Sequence, residues 1–140
     1  MAETFYSPVE GTSLVEMRMY VHAGASYAQA FEFFSVNPDD TDEAVNEWDF
    51  TNWNIPAATL AVSSGENSAP IFTLTGAANE INLQGAGTEA TLLIRMSPTT
   101  TKLLQTAGLR RAFGWLEAVD QDGNTQRIAV AHIYAYWEAL

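Results

Sequence analysis

The feature that most constrains this chain is an apolar period of two, interrupted at short intervals by turn-forming residues. Side chains alternate across a strand, so residues i, i+2 and i+4 share a face, whereas a helix repeats about every 3.6 residues. Between residues 14 and 34 the apolar set is Leu14, Met17, Met19 and Val21, then Tyr27, Phe31 and Phe33. Gly24 lies between the two runs and predicts a turn between strands. Glu16, Arg18 and Tyr20 then share the face opposite Met17, Met19 and Val21. The segment Asn37-Pro38-Asp39-Asp40-Thr41-Asp42 is turn chemistry, because Asn and Asp bond to nearby backbone and Pro fixes φ. Residues 48–62 carry large aromatics and then β-formers, with Pro56 inside. Pro cannot donate to a ladder, so this strand starts after Pro56 or lies at an edge or bulge.

The second half is more regular. Residues 71–75, 81–84 and 91–96 read as three strands joined by Gly76-Ala77-Ala78-Asn79 and Gly85-Ala86-Gly87. That spacing makes a meander and leaves no room for helices. One short helix is predicted near 98–106, with Ser97 as N-cap, Pro98 at the first helical position, Leu103 and Leu104 on its apolar face and Gly108 ending it. The last third reads as a hairpin, with Asp120-Gln121-Asp122-Gly123 between two β-patterned runs. On its return strand Ile128, Val130, His132, Tyr134 and Tyr136 share one face, and Ala129, Ala131, Ile133, Ala135 and Trp137 the other. Both faces are fairly apolar, which predicts a central or doubly covered strand. The expected fold is an all-β, antiparallel, Ig-like β-sandwich of seven or eight strands with one short helix. Residues 1–140 form a single domain in this reading, with 1–12 as an extended amino-terminal arm and 36–48 as an acidic loop.

Composition narrows the function. A chain of 140 residues can bury roughly 70% of the surface its unfolded form exposes, so a core needs no disulfide or metal. With no Cys, disulfides, thiolate nucleophiles and Cys-based zinc sites are excluded. The 47% hydrophobic content is too high for a disordered chain. A net charge of −11 and a pI near 4.3 argue against nucleic acid, whose phosphates need clustered Lys and Arg. The start, Met1-Ala2-Glu3-Thr4-Phe5, has no secretory pattern, and no apolar run has membrane-spanning length. The expectation is a soluble acidic domain. Its charge is uneven: residues 1–70 hold eleven acids and one base, Arg18, while 71–140 hold six acids and five bases. Asp39, Asp40, Asp42, Glu43, Glu47 and Asp49 form the densest run, read either as a solvated loop or as an acidic docking surface.

Catalytic chemistry is hard to assemble. His22 and His132 lie in strand readings with no nucleophile motif nearby, so neither is assigned as a general base. No Gly-x-Ser-x-Gly elbow is present, and Gly85-Ala86-Gly87 is not followed by a helix that would cradle a phosphate. A calcium loop from Asp40 fails, because Ala44 and Val45 stand where a ligand and Gly are needed. Paired carboxylates in a cleft, as a glycosidase requires, are not expected from acids clustered in one loop. No catalytic residue, metal or cofactor is assigned. Trp48, Phe50 and Trp53 beside the acidic run are the aromatics most suited to a contact, while Tyr134, Tyr136 and Trp137 read as core or interface.

The order of elements carries a resemblance. A strand leads through His22-Ala23-Gly24-Ala25-Ser26-Tyr27 into Phe31-Glu32-Phe33-Phe34, and a polar loop reaches Trp48-Asp49-Phe50-Thr51-Asn52-Trp53-Asn54. Next come Ile71-Phe72-Thr73-Leu74, Ile81-Asn82-Leu83-Gln84-Gly85-Ala86-Gly87, the helix signal from Ser97 to Leu104 and the Asp120–Gly123 hairpin. This order resembles the small β-sandwich domains of tailed-bacteriophage virions, similar to the amino-terminal domain of upper-baseplate and tail-fibre proteins. The chain departs from that pattern at Asn52 and Ala131, where Gly is usual, and it ends soon after the hairpin. The resemblance implies a non-enzymatic structural subunit, oligomeric in the particle and assembled in the host cytoplasm. Its partners would be other virion structural proteins, docked through Trp48, Phe50 and Trp53 and steered onto a basic surface by the acidic run. A baseplate or tail adaptor, or a fibre-attachment subunit, is the leading expectation. The alternatives are a capsid-surface decoration (cement) protein and a carbohydrate-binding module.

Overall fold

The computed structural model describes residues 2–7, 15–36, 45–47, 50, 53–65, 67–85 and 91–138. Along the chain run β1 (Ala2–Ser7), β2 (Val15–His22), β3 (Tyr27–Val36), β4 (Val45–Glu47), β5 (Asn54–Ser63), β6 (Phe72–Thr75), β7 (Ile81–Gln84) and β8 (Thr91–Met96). They are followed by α1 (Pro98–Thr106), β9 (Arg111–Val119) and β10 (Thr125–Tyr136). The body of the fold is eight strands in two sheets. One sheet is mixed, in the order β2-β10-β9-β5-β6; the other is the antiparallel set β3-β8-β7. The short β1 and β4 pair with opposite edges of β3, extending this second sheet to five strands.

The sequence predicts seven or eight strands; the body of the fold has eight, and it is mostly β with one short helix, as read from the sequence. Wholly antiparallel pairing is corrected. β2 runs parallel to β10, from Val15 beside Ala129 to His22 beside Tyr136, and β1 runs parallel to β3. A period of two states which face a residue occupies but not which strand lies alongside, so sequence alternation carries no information on direction. The segment expected as an arm contributes β1, and the end of the expected acidic loop contributes β4. Pro56 is accommodated by an irregularity: the register of β5 against β9 shifts between Asn54 and Thr59.

The face assignment on β10 is corrected at one residue. Ile128 is buried together with Ala129, Ala131, Ile133 and Ala135, rather than sharing a face with Val130 and His132. The register of β10 against β9 shifts between Arg127 and Ala129, and this extra residue changes the phase of the alternation.

The core lies between the sheets. Met17, Met19, Val21, Leu60 and Val62 come from the mixed sheet, and Phe31, Ile81, Leu92 and Ile94 from the other. The middle strands of the mixed sheet offer small inward residues, Ala112, Gly114 and Ala118 on β9 and Ala129, Ala131 and Ala135 on β10. Small residues facing larger ones let two layers interdigitate. The consequence appears on the other side: β9 and β10 turn their aromatic rings outward.

The helix is placed by its own cap and by one buried hydroxyl. Ser97 Oγ accepts from the Thr100 amide at 3.1 Å and Pro98 opens the helix, as the sequence predicts. Thr101 is fully buried; its Oγ1 donates to the Ala25 carbonyl at 2.8 Å and accepts from the Gly24 amide at 3.0 Å. This pair of bonds ties α1 to the β2–β3 turn, where Gly24 takes φ +85°.

Candidate functional site

The outer face of the mixed sheet gathers aromatic and cationic side chains from three strands. Outward positions on β2 are Glu16, Arg18, Tyr20 and His22; on β10, Val130, His132, Tyr134 and Tyr136; on β9, Arg111, Phe113, Trp115 and Glu117. Pairing converts these columns into rows. Arg18, His132 and Phe113 form one row, Tyr20, Tyr134 and Arg111 the next, and His22 pairs with Tyr136 in the third.

The rings contact one another along and between the rows. Tyr20 stacks on Tyr134 with centroids 5.3 Å apart and planes 18° from parallel, and on Tyr136 at 6.5 Å. His22 lies 5.8 Å from Tyr136. Phe113 meets Trp115 edge to face at 5.1 Å and His132 at 6.2 Å. Guanidinium groups lie over the rings: Arg111 over Tyr134 at 5.2 Å and Arg127 over Trp115 at 4.6 Å. Arg127 also pairs with Glu117 at 3.1 Å across the β9–β10 seam. That pair is solvent-exposed, so it contributes less than about 1 kcal/mol to stability.

These groups remain accessible. Tyr20 is 51% exposed and Tyr136 47%, and Phe113, Trp115, His132 and Tyr134 are half-buried. At the end of the sheet an open groove of about 520 Å³ is lined by His22, Ala23, Gln105, Tyr136, Trp137 and Glu138. Trp137 of this lining is held by Arg110, whose guanidinium lies 3.7 Å over its ring and donates to its carbonyl at 2.8 Å. Tyr, Trp and Arg are the residues enriched at the centres of protein interfaces, because they bury large area at low entropy cost. The two histidines belong to this face, His22 beside Tyr136 and His132 beside Phe113.

Of the residues proposed from sequence, Glu47, Phe50 and Trp53 are described, and none is among the outward positions of this face. Phe50 is 1% exposed and is part of the core, so it offers no surface to a partner. The sequence offers its ring as a contact because it lies in a segment that combines large rings with a loop edge. Trp53 is half-buried and packs against the core. The backbone of Glu47 lies in β4, opposite Phe34. Trp48, Asp39, Asp40, Asp42, Glu43 and Asp49 lie outside the described residues. Among the described residues, no three His, Asp or Glu side chains come together as metal ligands would.

The sequence placed Tyr20 with Arg18, and Tyr134 with His132 and Tyr136, on single faces of their strands. What it lacked was the parallel seam that makes these two faces one surface. Fold and surface together define a two-sheet, mostly β domain with an open aromatic and guanidinium face. No protein-family model and no curated protein matches the chain.

Proposed function

We propose that this chain is a structural assembly subunit that works by protein–protein contact through the outer face of its mixed sheet. The observation that carries the reading is the row Tyr20–Tyr134–Arg111, with its neighbours Tyr136, Phe113 and Trp115, left open on an otherwise acidic chain. Contiguous apolar area of this kind marks an interaction site when it is not covered within the monomer. Together with the order of turns described above, it supports a virion subunit of a tailed phage: a baseplate or tail adaptor, or a fibre-attachment subunit, with a capsid-decoration role as the alternative. In this reading the two sheets are a variant of the Ig-like sandwich in which the amino-terminal strands join in parallel. The protein is non-enzymatic and resides in the particle after assembly in the host cytoplasm.

The carbohydrate-binding alternative requires ring faces open to solvent. Here the tyrosines stack on one another, and guanidinium groups already lie over Tyr134, Trp115 and Trp137. Guanidiniums held on rings suit carboxylates of a protein partner better than they suit a sugar. Quantitative mass spectrometry of purified particles tests the reading. The protein is expected at a fixed copy number per virion, and its absence from particles would overturn the assignment.

A further inference from the structure

Resting on that reading, we infer that the outer face of the mixed sheet accepts the acidic surface of a second copy of this chain, docked head to tail. The basis is charge. Arg18, Arg111 and Arg127 stand on the face with Glu16 and Glu117, three guanidiniums against two carboxylates, so the face carries +1. The whole chain carries −11, which leaves −12 on everything outside the face, where fifteen acids meet three bases. Glu117 is engaged by Arg127, while among the described residues neither Arg18 nor Arg111 has an ion pair. Two guanidiniums on an aromatic surface therefore await carboxylates, and the rest of the same chain is where carboxylates are abundant.

The charge pattern also selects the geometry. A two-fold pairing of this face with itself would set Arg18 and Arg111 against their own copies, which complementarity disfavours. A heterologous contact places guanidiniums on carboxylates, and each added copy presents a fresh face, which builds a ring or an open row. Net repulsion between acidic copies acts at long range and is screened beyond about 8 Å at physiological salt, whereas the local pairs are not.

Sedimentation analysis of the full chain at physiological salt tests the inference. Wild type is expected to assemble beyond a dimer as its concentration rises. The double variant Arg18→Glu with Arg111→Glu is expected to associate at least tenfold more weakly while keeping the wild-type circular dichroism and melting temperature. Added to wild type, it shortens the assemblies, because it can offer an acidic surface but cannot accept one. Arg18→Lys with Arg111→Lys, which keeps the charge, retains most of the association. A wild type that is monomeric throughout, or a glutamate variant that assembles like wild type, overturns the inference. Incorporation of the glutamate variant into particles separates the two readings: loss there with a monomeric wild type assigns the face to a foreign acidic partner, and normal incorporation removes the face from assembly altogether.

Discussion

Tyr20 and Tyr134 face each other across the parallel seam of β2 and β10, their rings 5.3 Å apart and 18° from parallel. The seam joins strands from opposite ends of the chain, and on its far side Arg111 of β9 completes the row. One of the three strands that build the aromatic face is therefore placed by this seam alone. If β2 paired elsewhere, Tyr20, Arg18 and His22 would leave the surface together.

A stacked aromatic pair contributes about 0.5–1.5 kcal/mol beyond the area it buries. A double-mutant cycle of Tyr20→Ala and Tyr134→Ala, followed by urea unfolding, is expected to return a coupling in that range. Strict additivity of the two single changes would mean that the rings do not interact.

Thr101 is the buried group that fixes α1 to the β2–β3 turn, bonding both the Gly24 amide and the Ala25 carbonyl. Thr101→Val keeps the shape, removes the hydroxyl and leaves two main-chain groups unpaired. It is expected to cost about 1–3 kcal/mol, with Thr101→Ser recovering most of the loss. Equal stability of the valine and serine variants would contradict this account of the helix's placement.

The strand content, the capped helix and the final hairpin were legible in the sequence because each has a local cause. Met17, Met19 and Val21 alternate, Ser97 precedes Pro98, and Asp122-Gly123 turns the chain. The aromatic face was legible only in fragments, since it is created by register between β2, β10 and β9, and register is a property of pairs of strands. Phe50 misled for the opposite reason. A large ring beside a charged run suggests a surface contact, yet burial is decided by what packs around it, and here that is the core.

Gly114 lies on β9 against β5 with no room for a side chain. A Cβ there would meet the Ala61 carbonyl oxygen and Leu60 Cδ1, each at 2.9 Å. Gly114→Ala is expected to destabilise by about 1–3 kcal/mol through overpacking. Gly65→Ala, where the nearest contact is Ser68 Oγ at 3.8 Å, serves as the control and should change stability by less than about 0.5 kcal/mol. Similar melting temperatures for the two variants would argue against the close approach.

Asp120 organises the β9–β10 turn. Its carboxyl is held below the ordinary carboxylate range, first by the Asn124 amide and then by the Gln126 side chain and the Asp122 amide. Because the folded value lies below the unfolded one, the stabilisation is complete above about pH 4 and is lost as the pH falls through the lowered folded value. Asp120→Asn is therefore expected to be less stable than wild type at neutral pH, with the gap narrowing below about pH 4. A gap in urea midpoint that stays constant down to pH 2 would contradict the assignment.

The central claim is that the outer face of the mixed sheet is the docking surface. Site-specific photocrosslinking during particle assembly tests it most directly, with a benzophenone amino acid at Tyr136 on this face or at exposed Arg95 on β8 of the other sheet. The account predicts protein adducts from position 136 and few from position 95. Adducts from position 95 alone, or none from position 136 in particles that contain the protein, would contradict it.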